Sequence, residues 1–329
     1  MSHSLLRGLL ATALSVAAVC AGAQTYPTKP IAITVPFAAG GPTDVVARTI
    51  AEAMTRSLPG ANVIVENVAG AGGTIGVTKV AKAAPDGYSL LVHHIGMATA
   101  PALYRKLAFD PLKDFEYIGL INDVPMTLLV KSGFPAASVK ELVPYLKANA
   151  AKVSFANAGL GSASHLCGLM FMSTIETDLT TVPYKGTAPA MTDLIGGQVD
   201  MLCDQTTNTT QQIEAGRVKA FAVTTAGRLN NHKLLKDYPS LQEMGLKGFN
   251  LTVWHGMYAP KGTPPAVLKQ LNDAMKAALK DPEFLKRQEA LGAVVVSDNR
   301  TDPAAHKAYV TAEIAKLKPA IEAAGKFAD

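Results

Sequence analysis

Apolar and polar positions along this chain fall into two alternating rhythms. Short apolar runs rich in β-branched residues predict strands over 31–35 (IAITV), 62–68, 88–94, 152–157, 180–184, 199–203 and 218–224. Between them the spacing turns helical. Val46, Ile50, Ala53 and Met54 make one stripe, with Arg48, Glu52 and Arg56 left for the opposite side. Further helices are predicted over 74–83, 97–106, 139–146, 163–175, a segment ending near Gly196 and Gly197, 211–215, 264–280 and 303–324. Residues 250–260, which carry the only tryptophan, Trp254, and 293–296 read as strands again. Residues 115–131 form a long strand-like segment expected to break near Asn122 and Asp123, because Pro125 lacks the N–H that a central strand donates. The stretch 228–247 is polar and turn-rich.

The junctions between strands and helices carry the candidate chemistry. The first strand ends at Phe37, Ala38, Ala39, Gly40 and Gly41, and Thr43 or Asp44 then stands where a helix N-cap belongs. Glycines without Cβ let a ligand approach the backbone, and the helix behind them presents unpaired N–H groups and the positive end of its dipole. Such a turn is either an anion site without a positive side chain or simply a tight connection. One loop does not decide between the two, but the chain repeats the pattern at 70–76 and at Gly159, Gly161 and Ser162. Residues 70–76 do not complete a dinucleotide fingerprint, since the third glycine would fall at Ile75. Gly159-Leu160-Gly161-Ser162 misplaces the serine of a nucleophile elbow, and His165 is only three residues beyond it. Ser162 and Ser164, with Ala163 between them, therefore read as cap or ligand groups; an exported hydrolase using Ser162 and His165 is the rival. His93 and His94 should point to opposite faces of their strand, so a two-histidine metal site is not expected, and His94 is placed at the cleft rim.

Strands alternating with helices argue a parallel-rich α/β fold. Two such series separated by a crossover predict two lobes with a ligand cleft between them. The first lobe comprises 24–124 and 250–329, and the second 125–249.

Composition narrows the class. With 48% hydrophobic and 17% charged residues the chain is globular, and its net charge of +5 is scattered, leaving no nucleic-acid footprint. Arg7, an apolar stretch over 9–19 and Ala21-Gly22-Ala23 read as a secretory signal peptide over 1–23, too short to span a membrane. Its removal takes away Arg7 and lowers the charge from +5 to +4. Ala17 stands where a lipidation signal wants leucine, so Cys20 is not expected to be acylated. Cys167 and Cys203 remain. One is in a predicted helix and the other in a predicted strand, and two buried free thiols are expected. No metal site or cofactor is expected. Export, two lobes, anion loops and no catalytic constellation point to a periplasmic receptor.

Several stretches strengthen that reading. Pro36-Phe37-Ala38-Ala39-Gly40-Gly41 with Asp44 and Arg48, residues 69–76, Asp86-Gly87-Tyr88, residues 159–166 (GLGSASHL), Tyr184-Lys185-Gly186, residues 196–200 and residues 259–264 resemble the receptor subunit of tripartite tricarboxylate transporters, the Bug-type solute-binding proteins. The resemblance runs in order along the whole mature chain. It implies a type II periplasmic binding fold, lobe closure on a small carboxylated solute, delivery to a membrane permease, a monomer, and no catalysis. It implies that residues 37–44 and 159–164 face each other across the ligand, using backbone amides and ordered waters. The run Asp204, Gln205, Thr206, Thr207, Asn208 is similar to the aspartate-binding branch, where an acidic side chain meets an ammonium group. Tyr184 and residues 204–207 would then read the far end of the ligand. Branches that bind malate, adipate, citrate or terephthalate share most of these motifs, and a sensor could use the same fold.

Overall fold

The computed structural model describes residues 26–324; the signal peptide reading over 1–23 lies outside them. The strands are β1 (Ile31–Val35), β2 (Val63–Asn67), β3 (Ser89–His94), β4 (Phe115–Lys131), β5 (Ser154–Asn157), β6 (Thr180–Pro183), β7 (Met201–Gln205), β8 (Val218–Val223), β9 (Thr252–Pro260) and β10 (Val294–Val295). The helices are α1 (Pro42–Ser57), α2 (Thr74–Ala81), α3 (Gly96–Leu103), α4 (Val139–Asn149), α5 (Ala163–Thr174), α6 (Thr187–Ile195), α7 (Thr206–Glu214), α8 (Pro265–Ala278), α9 (Pro282–Ala290) and α10 (Pro303–Ala324). No helix among the described residues is long and apolar enough to cross a membrane.

The strands join in the order β2-β1-β3-β9-β4-β7-β5-β6, with β8 and β10 also paired to β4. Each end of the sheet is parallel: β1 beside β2 and β3, and β5 beside β6 and β7. The middle is antiparallel, because β9 and β4 run against their neighbours. The sheet is thus mixed, where the alternation of elements predicts a parallel-rich one.

Strand β4 corrects the expected break. It runs unbroken through 17 residues. Its first part pairs with β9, ending at Pro125 opposite Thr252, and its second part pairs with β7 from Met126 opposite Gln205. The proline therefore falls where one set of partners hands over to the other, so its missing N–H disturbs the ladder least. The chain does cross between the two halves of the sheet here, as one strand.

Both halves bury apolar cores. Ile31, Ile33 and Val35 of β1 are fully buried, and Val46, Ile50, Ala53 and Met54 of α1 pack over them, as their spacing predicts. Helix α10 crosses α3 and β4 and covers the middle of the sheet. Helix α9 has no counterpart among the predicted helices, although Asp281 caps it by accepting from the amides of Glu283 and Phe284.

Cys167 and Cys203 form a disulfide, with Cα atoms 6.1 Å apart. This overturns the expectation of two free thiols. A helix and a strand are not too far apart when the helix packs against the strand, and α5 lies against β7 so that both cysteines face the shared interior. By loop-closure entropy, a cross-link spanning 36 residues of sequence contributes about 3–4 kcal/mol.

Candidate functional site

Helix α1 begins at Pro42 with Gly41 as its N-cap, and no side chain bonds the cap. Neither Thr43 nor Asp44 takes that role. Asp44 instead reaches back from the first turn. Its Oδ2 accepts from Gly40 N and Arg48 Nε, each at 2.9 Å, and its Oδ1 accepts from Asn67 Nδ2 at 2.9 Å. Burial alone would raise this carboxyl, but the bonds from Arg48, Gly40 and Asn67 hold it below the ordinary carboxylate range. Asp44 therefore fixes the loop's shape and is spent in doing so.

Behind this loop lies a nearly closed cavity of about 10 Å³, lined by Phe37, Pro42, Thr43, His94, Ala158, Ser162, Ala163, Ser164, Thr187, Asp204 and Gln205. The lining explains itself helix by helix. Pro42 and Thr43 open α1; Ser162, Ala163 and Ser164 open α5; Thr187 opens α6; Gln205 precedes α7. Four helix N-termini converge on one small space, and no lysine or arginine lines it. Each end leaves backbone N–H groups without helical partners, so the space favours anions. A larger groove of about 530 Å³ opens beside α5 and residues 247–249, but no helix begins there and no orphaned buried polar atom faces it.

His94 adds a neutral donor. Its Nδ1 accepts from Gly96 N at 2.9 Å, and burial pushes its pKa down to about 3. A neutral imidazole has one N–H, so Nε2 carries it. His93 and His94 do not part to opposite faces. Their ring centroids are 4.6 Å apart, and Phe37 touches both. The strand ends at His94, and the turn into α3 lets both rings gather against Phe37.

The same space also holds acceptors. Asp204 is 1% exposed, and burial raises its pKa to about 6 against the Asn208 amide, which donates to Oδ2 at 2.6 Å. Thr187 stands close enough to favour the charged form, yet its Oγ1 reaches no partner in bonding geometry. Gln205 Oε1 is also buried without a partner. The strand and helix explain the arrangement. β7 runs on through Asp204 and Gln205, and α7 starts at once with Thr206, where a loop is predicted from sequence.

Of the residues singled out from sequence, Phe37, Thr43, His94, Ser162, Ala163, Ser164, Asp204 and Gln205 meet at this cavity. Tyr184 does not. Its hydroxyl donates to Asp193 at 2.6 Å, and it lines an outer groove with Tyr104 and Leu160. Thr207 is buried in the first turn of α7, outside the lining, with an unpartnered hydroxyl. Ala38, Ala39, Gly40, Gly41, Gly159 and Gly161 shape the loops around the cavity without lining it. Pro42, Ala158 and Thr187 line it and were not singled out. Thr187 had a usable signal, since Lys185-Gly186-Thr187 repeats the pattern of glycine followed by a helix start.

The glycines serve mainly to let loops touch. Ala38 N donates to Lys185 O at 3.0 Å, and Thr99 Oγ1 to Gly161 O at 2.6 Å. The Tyr104 hydroxyl lies 2.7 Å from Ala71 O and 2.8 Å from Leu160 O, two acceptors that share its one hydrogen. A Cβ on Gly72 would come within 1.8 Å of Leu160 O, and one on Gly186 within 2.9 Å of Ala38 N. Loops from the two halves of the sheet thus meet by backbone-to-backbone contact.

Ser162 acts as a cap. Its Oγ accepts from His165 N at 3.2 Å and lies 3.1 Å from Ser164 Oγ, while His165 Nδ1 accepts from Gly161 N at 3.4 Å. Ser164 Oγ in turn accepts from Ala158 N at 2.8 Å. The imidazole turns to the loop amide, so the serine–histidine pair is not arranged as nucleophile and base.

A two-lobed α/β fold with four helix N-termini gathered on one small cavity is the architecture of a solute-binding receptor. The chain belongs to the tripartite tricarboxylate transporter family receptor group, whose family model matches residues 46–326. It is 47% identical over 318 residues to a UPF0065 protein from the TAR-I ttuE-ttuC' intergenic region of Agrobacterium vitis, covering 97% of this chain and 91% of that one. Among solved structures it is similar to the periplasmic binding protein BugD, with TM-score 0.89, 52% identity, and 92% of this chain and 99% of that chain covered. It is also similar to MatC from Rhodopseudomonas palustris with bound malate, with TM-score 0.86, 37% identity, and 90% and 100% covered.

Proposed function

We propose that the protein is a periplasmic receptor for a four-carbon dicarboxylate, above all an aspartate-like amino dicarboxylate, which it delivers to a transporter permease. The observation that carries this is the mix of groups around the cavity: helix N-termini and His94 offer donors, and Asp204 and Gln205 offer acceptors. A carboxylate suits the donors and an ammonium group the acceptors. The space among these helix starts is nearly closed, so a short acid needs less parting of the loops than adipate, citrate or terephthalate does. The malate bound to MatC supports the same ligand class.

In this proposal residues 24–124 and 250–329 form one lobe and residues 125–249 the other, with residues 1–23 removed on export. The ligand shifts the population toward the closed form by contacts made only there. Affinity is expected in the micromolar range or tighter, about −8 kcal/mol or more. A thermal-shift panel tests the reading on residues 24–329, unfolded and refolded to strip any carried ligand. Aspartate, malate and succinate should raise the melting temperature, and adipate, citrate and terephthalate should not. A shift confined to the larger acids, or a flat response to all of them, would overturn it.

A further inference from the structure

A chain of side-chain hydrogen bonds runs from the far side of α1 to the cavity. Thr49 Oγ1 lies 3.0 Å from both Val45 O and Val46 O, to which it donates, and it accepts from Gln288 Nε2 at 3.0 Å. Gln288 Oε1 accepts from Asn122 Nδ2 at 2.6 Å. Asn122 Oδ1, an acceptor only, lies 2.9 Å from His255 Nδ1. That nitrogen must therefore carry the ring's hydrogen, leaving His255 Nε2 bare. Nε2 lies 3.3 Å from Thr43 Oγ1, and only the threonine hydroxyl can supply the hydrogen between them. Asn122, His255, Gln288 and Thr43 are all buried. Burial also keeps His255 neutral, well below its ordinary titration range, so no second ring hydrogen arrives to reverse the order.

The consequence falls on the cavity. Thr43 lines it, but its hydrogen is committed to His255, and only lone pairs are left for a ligand. Asp204 and the unpartnered Gln205 Oε1 line the same space. We infer that Thr43, polarised through His255, is a specificity-determining acceptor, and that the pocket selects four-carbon acids bearing a hydrogen-bond donor beside a carboxylate over acids with a bare methylene there. The inference rests on the dicarboxylate reading of the cavity. A ligand without the donor leaves buried acceptors unpaired, which discriminates more sharply than added contact area does. His255 acts as a positioning residue and Thr43 as the group that reads the ligand.

Isothermal titration of L-aspartate, L-malate and succinate tests the selection. The unaltered protein should bind the first two at least about tenfold more tightly than succinate. Thr43→Val should remove about tenfold from the two donor-bearing acids while changing succinate less than about twofold, and Thr43→Ser should restore the preference. Equal weakening of all three acids by Thr43→Val would overturn the inference. Ring nitrogen-15 NMR, with His255→Gln to assign the signal, gives an independent reading: Nδ1–H supports the relay, and Nε2–H overturns it. Should none of the three acids bind, the dicarboxylate reading falls and takes the selection with it, while the tautomer still decides the direction of the relay.

Discussion

Gly72→Ala is expected to lower ligand affinity about 100-fold and to hold the protein open in solution. Gly72 has φ +62°, and a Cβ there would come 1.8 Å from Leu160 O and 2.7 Å from the Tyr104 hydroxyl. The left-handed backbone is the smaller part of the cost, about 1–2 kcal/mol for a residue with a side chain, and the neighbouring Ala71 already adopts φ 46°. The clash decides the outcome, because Leu160 O is backbone on the opposing loop. To admit a methyl the loops must part, and Tyr104 then loses its bridge between Ala71 O and Leu160 O. A loss of about 2.7 kcal/mol from the closed form alone corresponds to the 100-fold change. Gly133→Ala is the control, since a Cβ there meets nothing within 4 Å. Unchanged affinity in Gly72→Ala would mean that the ligand-bound state does not use this contact.

Asp204→Asn is expected to stabilise the ligand-free protein at pH 7 and to abolish its preference for an ammonium ligand. Burial raises the Asp204 pKa to about 6 in the fold, whereas an unfolded aspartate titrates near 3.9. Below pH 4 both states hold the proton and no penalty exists. Between about pH 4 and 6 the unfolded chain releases its proton first, so stability falls as pH rises; above about 6 the penalty is constant. Its upper bound is about 3 kcal/mol. Asparagine removes that term, and the melting temperature of the variant should lose this slope between pH 4 and 6. Aspartate affinity should fall at least about tenfold through loss of a charge-assisted bond, with succinate far less affected. A variant no more stable than the parent at pH 7 would contradict the assigned burial cost.

Much of this was legible in the sequence because it is local. The stripe Val46, Ile50, Ala53 and Met54, the glycine turns, and Ser162 as a cap each follow from spacing within a dozen residues. What escaped depends on long-range packing. Thr187 joins the cavity only because α6 starts against the first loop, and Tyr184 leaves it because Asp193, nine residues on, takes its hydroxyl. The disulfide needed the placement of α5 on β7. Pro125 looked like a break because the pattern does not show that a strand can change partners at that residue. The glycine turns suggest room for a ligand, whereas Gly72 and Gly186 make room for backbone from the facing loop. The link from Thr43 to His255 spans 212 residues, beyond any periodicity.

The most direct measurement is a crystal structure of the protein grown with L-aspartate. The account predicts one ligand in the cavity behind Pro42 and Thr43, with a carboxylate against the N-termini of α1 and α5 and the ammonium group within hydrogen-bond distance of Asp204. A ligand seated instead in the outer groove beside Tyr104 and Tyr184, or lying in the cavity with a carboxylate turned to Asp204, would contradict it.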